Sequence, residues 1–344
     1  MESGKRRFEQ LFSVLDQVRS VCILIYGNPD PDGLASAWAL REILHAAGVT
    51  AVIRYTGEVG RLENRAMIDL LRIPAAPLKA AELAGAARIA LVDAQPEFFT
   101  DSPLPRCDIV FDHHPRKSGR KHPFADIRAR CLATSSILTT YLIAARTAVS
   151  PRLATALYYG IQTDSRNLQR APSPVDVVAM DFLLPRVNRP LLRRIESSSY
   201  SLARLDYFTI ALVRLRYAHN VLYSHIGPVA SADVCVQVAD FLIRVKEANW
   251  ALVSGVVGTR LIIVFRCDGL RKHAGRAAAM AFGSRGSAGG HTTMGRAEID
   301  QAALPAGIML TQSERLERFI LQSLARVEPG FGPLSKAITR SLTP

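Results

Sequence analysis

The chain lacks long apolar segments and has little cysteine, and these absences exclude several classes of protein. No apolar run approaches the ~18 residues that a membrane-spanning helix needs, so we expect no membrane partner. The five cysteines are scattered and include no C-x-x-C pair, which argues against a disulfide framework and a structural zinc ribbon. The N-terminus has no apolar signal core. Together these features predict a cytoplasmic protein in a reducing compartment.

Composition indicates a folded, basic protein. The 344 residues suit two domains of ordinary size, and the hydrophobic content of 49% is enough to give each a core. The formal net charge is +13, and most of the basic residues are arginines. Arginine matches the oxygens of phosphate, so the charge is explained either by phosphate-rich ligands or by a general preference for arginine over lysine. Charge alone does not decide between them.

The most informative motif is Asp112-His113-His114, which directly follows the apolar run Ile109–Phe111. Carboxylate oxygens and imidazole nitrogens suit divalent metals such as manganese or zinc. Taken by itself, the triplet is equally well explained as a strand that ends in a polar turn.

Three other apolar runs also lead to carboxylates. They are Val21–Ile25 before Asn28-Pro29-Asp30-Pro31-Asp32, Ile89–Val92 before Asp93, and Leu157–Ile161 before Asp164. A single aspartate at a strand end is more often a cap or a turn residue. Four such strand ends at one edge of an open α/β sheet predict a two-metal site, since ligands bind beyond the carboxyl ends of the strands. Elsewhere the pattern predicts strands near 50–55, 219–226, 251–257 and 260–266, and helices near 8–19, 34–47, 133–145, 190–213, 231–245 and 312–327.

These four motifs resemble motifs I to IV of the DHH phosphoesterase superfamily, in order and in spacing. Gly289-Gly290-His291, downstream of Phe265-Arg266, is similar to the glycine-rich signature of the DHH-associated domain. The arrangement is most like that of the two-domain nano-RNase/pAp phosphatase-like members. The resemblance implies an α/β fold with an N-terminal parallel-sheet domain, a smaller C-terminal α/β domain with a mixed sheet, and an active site in the cleft between them. It implies a catalytic DHH domain over 1–188, a helical linker over 189–214 and a substrate-binding DHH-associated domain over 215–344.

The resemblance also implies a set of metal ligands and catalytic residues. Two Mn²⁺ ions would be held by Asp30, Asp32, Asp93, His113 and Asp164, with Asp93 as the bridge between them. Asp112 would orient a neighbouring imidazole. His114 would donate to the substrate phosphate or, alternatively, be a structural partner of its own loop.

Substrate-binding residues follow from the resemblance in the same way. Arg266 and His291 match the binders of the substrate phosphate, and Gly289 and Gly290 would let the backbone approach it. Ser36 would either contact a phosphate or cap the helix in which it lies. The expected partners are small nucleotides or short single-stranded RNA, and a homodimer is possible in this group of proteins.

Motif I departs from the family pattern at one position. The family places a metal-binding histidine two residues before the asparagine of Asn28-Pro29-Asp30, and this chain has Tyr26 there. A phenol keeps its proton at neutral pH and is a poor ligand for Mn²⁺. Three outcomes remain open: water replaces the nitrogen, the second ion arrives with substrate, or catalysis is lost and ligand binding is kept.

The expected function is therefore a metal-dependent phosphoesterase of the exonuclease type. It would hydrolyse short oligoribonucleotides, linear dinucleotides or pAp by two-metal activation of water. A polyphosphate or cyclic-dinucleotide hydrolase is the alternative within the enzyme class. The alternative from another class is a catalytically impaired nucleotide-binding or regulatory homologue, which the replacement at Tyr26 favours.

Overall fold

The computed structural model describes residues 2–99, 104, 106–117, 121–165, 167–198, 200–270, 272–327 and 329–335. The chain divides into two compact units, Met1–Ser199 and Tyr200–Pro344, and the division lies inside the segment 189–214 that the sequence predicts as a linker. Among the described residues, no helix is both long and apolar enough to span a bilayer.

The first unit is built on a sheet of six parallel strands in the order β3-β2-β1-β4-β5-β6. The strands are β1 (Ser20–Ile25), β2 (Thr50–Tyr55), β3 (Ala75–Pro77), β4 (Arg88–Val92), β5 (Ile109–Asp112) and β6 (Phe124–Ile127). The central strands are continuous apolar runs, which is typical of a parallel sheet covered on both faces. The strand order reverses between β1 and β4, and in open α/β sheets this switch point is where ligands bind.

Eight helices of the described residues belong to the first unit. They are α1 (Glu2–Val14), α2 (Pro31–Ala46), α3 (Leu62–Leu71), α4 (Ala80–Gly85), α5 (Thr134–Ala144), α6 (Pro151–Asp164), α7 (Pro174–Leu183) and α8 (Arg189–Glu196). Helix α2 is buried along most of its length, between the sheet and the helices α5 and α6. Asp30 caps it and Pro31 occupies its first turn, a strong helix-start signal.

One predicted strand is wrong. The run Leu157–Ile161 lies inside helix α6, and Asp164 is the last residue of that helix rather than a residue beyond a strand end. Helix α6 contacts α2, α3, α5 and α7, so it is buried nearly all round and its sequence reads as a continuous apolar run. Ser150 and Pro151 carry the signal that distinguishes the two structures, because they form an N-cap followed by proline at the first helical position.

The second unit has a mixed sheet of six strands in the order β11-β12-β10-β9-β8-β7. Its elements are α9 (Leu202–Val213), β7 (Arg216–Ala218), β8 (Val221–Pro228), α10 (Ala232–Leu242), β9 (Trp250–Val257), β10 (Arg260–Cys267), α11 (Ala274–Phe282), β11 (Ser287–Gly290), β12 (Met294–Asp300) and α12 (Ser313–Ala325). Only the pair β8 and β9 is parallel. The predicted α/β fold with a parallel first sheet and a mixed second sheet is confirmed.

A glycine sets the distance between α6 and α2. A Cβ atom at Gly160 would lie 2.7 Å from the Ser135 hydroxyl and 3.1 Å from Asp32 Cα, both closer than atoms normally pack. The hydrogen at this position therefore allows α6 to approach the start of α2. Because residues four apart share a helix face, the same approach brings Asp164 towards Asp32.

We expect Gly160→Ala to lower the free energy of unfolding by about 1–3 kcal/mol, the usual cost of overpacking a core. This loss outweighs the better helix propensity of alanine, worth about 1 kcal/mol. Gly85→Ala at the end of α4 is the matched control, because a Cβ there meets no atom within 4 Å. Denaturant unfolding of the full chain measures both variants. Equal free energies of unfolding for the two would contradict the packing argument.

Candidate metal centre

The carboxylates of the four motifs meet at the carboxyl edge of the first sheet. Asp30 and Asp32 follow β1, Asp93 comes directly after β4, and Asp112 ends β5 and is followed by His113. Strands β1, β4 and β5 are neighbours and parallel, so their carboxyl ends lie side by side. Helix α6 adds Asp164 from its C-terminal end.

Asp32 is anchored to the first turn of helix α5. It is fully buried, and its two oxygens accept the backbone N–H groups of Ser135 and Thr134, each at 2.7 Å. These N–H groups belong to the helix start, where the positive end of the helix dipole favours a carboxylate. Each carboxylate oxygen has two lone pairs, so Asp32 keeps acceptor capacity for a metal ion.

Asp93 adopts a left-handed backbone conformation that is uncommon for residues other than glycine. Its φ is +59°, in the left-handed region that costs free energy for residues other than glycine, and such strain clusters at functional sites. Its backbone N–H donates to the Phe111 carbonyl at 2.8 Å, and its carboxylate accepts the Thr134 hydroxyl at 3.0 Å. These bonds hold the strained turn in place at the end of β4.

His113 presents one buried nitrogen to the carboxylates. Its Nδ1 lies 3.4 Å from the Cys131 carbonyl, which favours the tautomer with hydrogen on Nδ1. Its Nε2 lies 3.0 Å from Asp164 Oδ2 and 3.5 Å from Asp93 Oδ1. Nε2 is buried and has no hydrogen-bond partner of proper geometry among the described residues. A buried nitrogen of this kind needs a partner, and a metal ion would satisfy it.

Two groups of potential ligands emerge from this geometry in the described part of the chain. Asp32, Asp93, His113 and Asp164 each offer one ligand atom, and these atoms all lie within 4.8 Å of one another. Asp93, His113 and His114 form the second group by the same measure. The donors are three carboxylates and one or two imidazoles, which suit manganese, iron or zinc. The residues therefore fit a divalent ion.

The pKa values show how strongly negative charge is crowded here. Burial, and then the charges of the neighbouring aspartates, raise the pKa of Asp93 well above its usual range and raise that of Asp32. Burial and the charge of Asp164 raise the pKa of Asp30 to about 7. Burial acts to lower the pKa of His113, but the contact with Asp164 and the charge of Asp32 raise it to about 9. A divalent cation would relieve this repulsion.

Asp112 orients the second histidine of the motif. One of its oxygens lies 2.8 Å from His114 Nδ1, and the other accepts the Gln95 side-chain amide at 2.6 Å. Asp112 is fully buried, whereas the His114 side chain is 46% exposed. Asp112 therefore orients the imidazole of His114, which lies on the exposed side of the cluster.

Tyr26 and Asp30 do not contribute to either ligand group. Neither group includes Asp30, whose carboxylate accepts the Gly33 N–H at 2.8 Å and caps α2. The Tyr26 ring packs against Phe99 with a centroid distance of 3.8 Å, next to an apolar cluster that contains Leu24 and Leu91. Tyr26 therefore has an apolar packing role at the position where the family has a ligand.

Ser36 lies inside helix α2 and contacts Asp32. The prediction that it caps the helix is wrong, because Asp30 is the N-cap and Ser36 lies further along. Ser36 is fully buried, and its hydroxyl donates to Asp32 at 3.3 Å. Its contact with a substrate phosphate stays a prediction.

The remaining predicted substrate residues lie in the second unit. Arg266 is nearly buried and its Nε donates to Asp240 at 2.6 Å. Gly289 and Gly290 belong to the edge strand β11, with open space at Gly289. Gly290 has φ +138° and packs against the backbone of Met294, so a side chain at this position would collide with the neighbouring strand. His291 is exposed. Their phosphate-binding roles stay predictions.

Three residues of the site were missed by sequence reasoning: Gln95, Thr134 and Ser135. Gln95 follows Asp93 by two residues, so its position next to the second motif was the available signal. The pair Thr134-Ser135 opens a predicted helix, and residues of this type at a helix start often bind carboxylates or anions.

The comparisons with known proteins support the same fold. No family model matches the chain. An uncharacterized protein of Methanocaldococcus jannaschii is 32% identical over 314 residues, which cover 91% of this chain. The chain spans 64% of the length of that relative.

Two solved structures are similar over nearly the whole chain. An exopolyphosphatase-related protein from Bacteroides fragilis has a TM-score of 0.72 at 15% identity and covers 95% of this chain and 98% of its own. The exonuclease RecJ bound to manganese has a TM-score of 0.52 at 14% identity and covers 96% of each chain. At these identities the likeness shows the fold alone, and the chain has the fold of these two proteins.

Proposed function

We propose that the protein is a metal-dependent phosphoesterase that hydrolyses small nucleotides such as short oligoribonucleotides, linear dinucleotides or pAp. The observation that carries this proposal is the group Asp32, Asp93, His113 and Asp164, whose ligand atoms lie within 4.8 Å of one another and include the buried Nε2 of His113. Carboxylates and imidazole in this arrangement are the ligands of divalent ions in phosphoryl-transfer enzymes. The relationship to DHH phosphoesterases in fold and motifs supports the same reaction class.

Neighbouring residues hold the side chains of this group in position for that reaction. A bound divalent ion would supply Lewis-acid stabilisation of the phosphoryl oxygens and lower the pKa of an attacking water. Thr134 and Ser135 hold the Asp32 carboxylate, and Cys131 holds the tautomer of His113. Such outer contacts fix the orientation of ligands before an ion binds. Asp112 holds His114 at the open side, where the imidazole either donates to the phosphate or binds a second ion.

Arg266 and His291 are proposed to bind the substrate phosphate, and in this state Arg266 is paired with Asp240. Since the Asp240 side chain is 46% exposed, a phosphate that approaches from solvent can compete for the guanidinium. Polyphosphate belongs in the substrate panel, because one similar structure is described as exopolyphosphatase-related.

We expect the purified protein with Mn²⁺ to release mononucleotide or phosphate from pGpG, pApA or pAp. Asp93→Asn should lower the rate by more than the ~100-fold that loss of an outer contact costs, because Asp93 belongs to both ligand groups. Asp181→Asn removes an exposed carboxylate of helix α7 and is the matched control. Absence of turnover on these substrates and on polyphosphate, with metal bound and the fold intact, would contradict the proposal.

Metal affinity should rise with pH, because the ligands must lose their protons before an ion binds. In the metal-free protein the pKa of His113 is raised to about 9, so this ligand carries a proton near neutrality. We expect roughly a tenfold gain in Mn²⁺ affinity per pH unit for each proton released, up to about pH 9. Calorimetry in buffers of different ionisation enthalpy counts the protons. Affinity that is constant with pH would show that the metal binds elsewhere.

A second candidate function is nucleotide binding without hydrolysis, and the packing of Tyr26 against Phe99 favours it. The two functions predict different results for the full chain in Mn²⁺. Under the phosphoesterase proposal, wild-type protein turns over, and Tyr26→His changes the rate by less than about threefold because the ring is held among apolar groups. Calorimetry that shows dinucleotide binding without turnover, unrescued by Tyr26→His, would establish the binding function instead.

A further inference from the structure

We propose that His114 and Asp93 bind a second divalent cation, beside the ion held by Asp32, Asp93, His113 and Asp164. This inference rests on the proposed metal site and assigns its second position to a residue that the family motif does not use as a ligand. The imidazole missing at Tyr26 would thus be supplied by the last residue of the Asp112-His113-His114 motif.

His114 lies beside Asp93 and His113. Its ligand atom lies within 4.8 Å of those of Asp93 and His113. The two imidazole rings are neighbours, with centroids 4.4 Å apart. His113 has a single available nitrogen and serves one ion, whereas the two oxygens of Asp93 can serve two. The Asp93 carboxylate would therefore serve both ions, and His114 would supply the nitrogen ligand of the second.

His114 is oriented as metal-binding histidines are. Its Nδ1 is hydrogen-bonded to Asp112, which is itself held by the Gln95 amide. A carboxylate on one ring nitrogen raises the basicity of the other and fixes its direction, and this carboxylate–histidine arrangement is the usual outer contact of a ligating imidazole. Nε2 is then the nitrogen that is available to an ion.

The carboxylates around Asp93 give the cluster an excess of negative charge. Four other carboxylates act electrostatically on Asp93, namely Asp30, Asp32, Asp112 and Asp164. One divalent ion and the nearby imidazoles leave this group with a negative excess, and burial makes the excess costly. A second divalent ion on the exposed side, where His114 lies, reduces that excess.

The family position for the second ion is altered in this chain, because the Tyr26 ring packs against Phe99. His114 would supply the imidazole that is missing there, Asp93 would supply a carboxylate, and water would complete the coordination of the second ion. Fewer protein ligands mean weaker binding, so the two ions should differ clearly in affinity.

The test is the number of Mn²⁺ ions bound by the full chain without substrate, measured by calorimetry and by electron paramagnetic resonance after chelator treatment. Wild-type protein should bind two ions, one tightly and one weakly, and show the broadened signal of a spin-coupled pair when both are present. His114→Ala should lower the affinity of the weaker ion by at least about tenfold. The tight ion should change by less than about threefold and give the resolved signal of an isolated ion.

Two variants serve as controls for this test. Tyr26→Phe removes the phenol oxygen and should retain both ions. His219→Ala removes an exposed imidazole of the second unit and should also retain both. Two ions of unchanged affinity in His114→Ala, a single ion on the wild type, or loss of an ion in Tyr26→Phe would overturn the inference. Because no substrate is present, none of these results depends on whether the protein hydrolyses nucleotides, and loss of turnover with two bound ions would contradict only the proposed function.

Discussion

The hydrogen bonds from the start of helix α5 to Asp32 are the contact on which the site depends. Both oxygens of this buried carboxylate accept backbone N–H groups, from Thr134 and Ser135. The interaction joins the loop after β1 to a helix more than a hundred residues later in the chain, since these bonds span 102 and 103 positions. The Thr134 hydroxyl also donates to Asp93, so the same helix start contacts a second carboxylate. A single helix N-terminus thereby holds two carboxylates of the candidate metal centre and offsets part of their charge.

This arrangement explains how so many acidic groups coexist in a buried place. The apolar strands and the close approach of α6 at Gly160 bring the carboxylates together, and folding alone would leave them in mutual repulsion. The dipole of α5, the hydroxyls and the proton on His113 offset part of the charge in the absence of metal. A bound ion would replace that proton, so metal affinity would depend on pH through His113.

Much of the fold was predictable, as was the meeting of the aspartates at the carboxyl edge of the first sheet, and the failures have physical causes. The runs before Asp30, Asp93 and Asp112 are short, apolar and bounded by polar turns, so their assignment as parallel strands is confirmed. The run before Asp164 is equally apolar because α6 is buried all round, and burial removes the periodicity that separates a helix from a strand. Gln95 and the start of α5 were missed because their importance comes from partners far away in the sequence.

Because Tyr26 stands where the family has a histidine ligand, the imidazole next to the cluster on its exposed side is that of His114, which Asp112 orients. The most direct measurement is anomalous scattering at the manganese edge from crystals of the full chain grown with Mn²⁺. We expect a strong peak next to Asp32, Asp93, His113 and Asp164, and a weaker peak between Asp93 and His114. Absence of a peak at the first position, in protein that is folded and saturated with metal, would contradict the central claim that this cluster is a metal site.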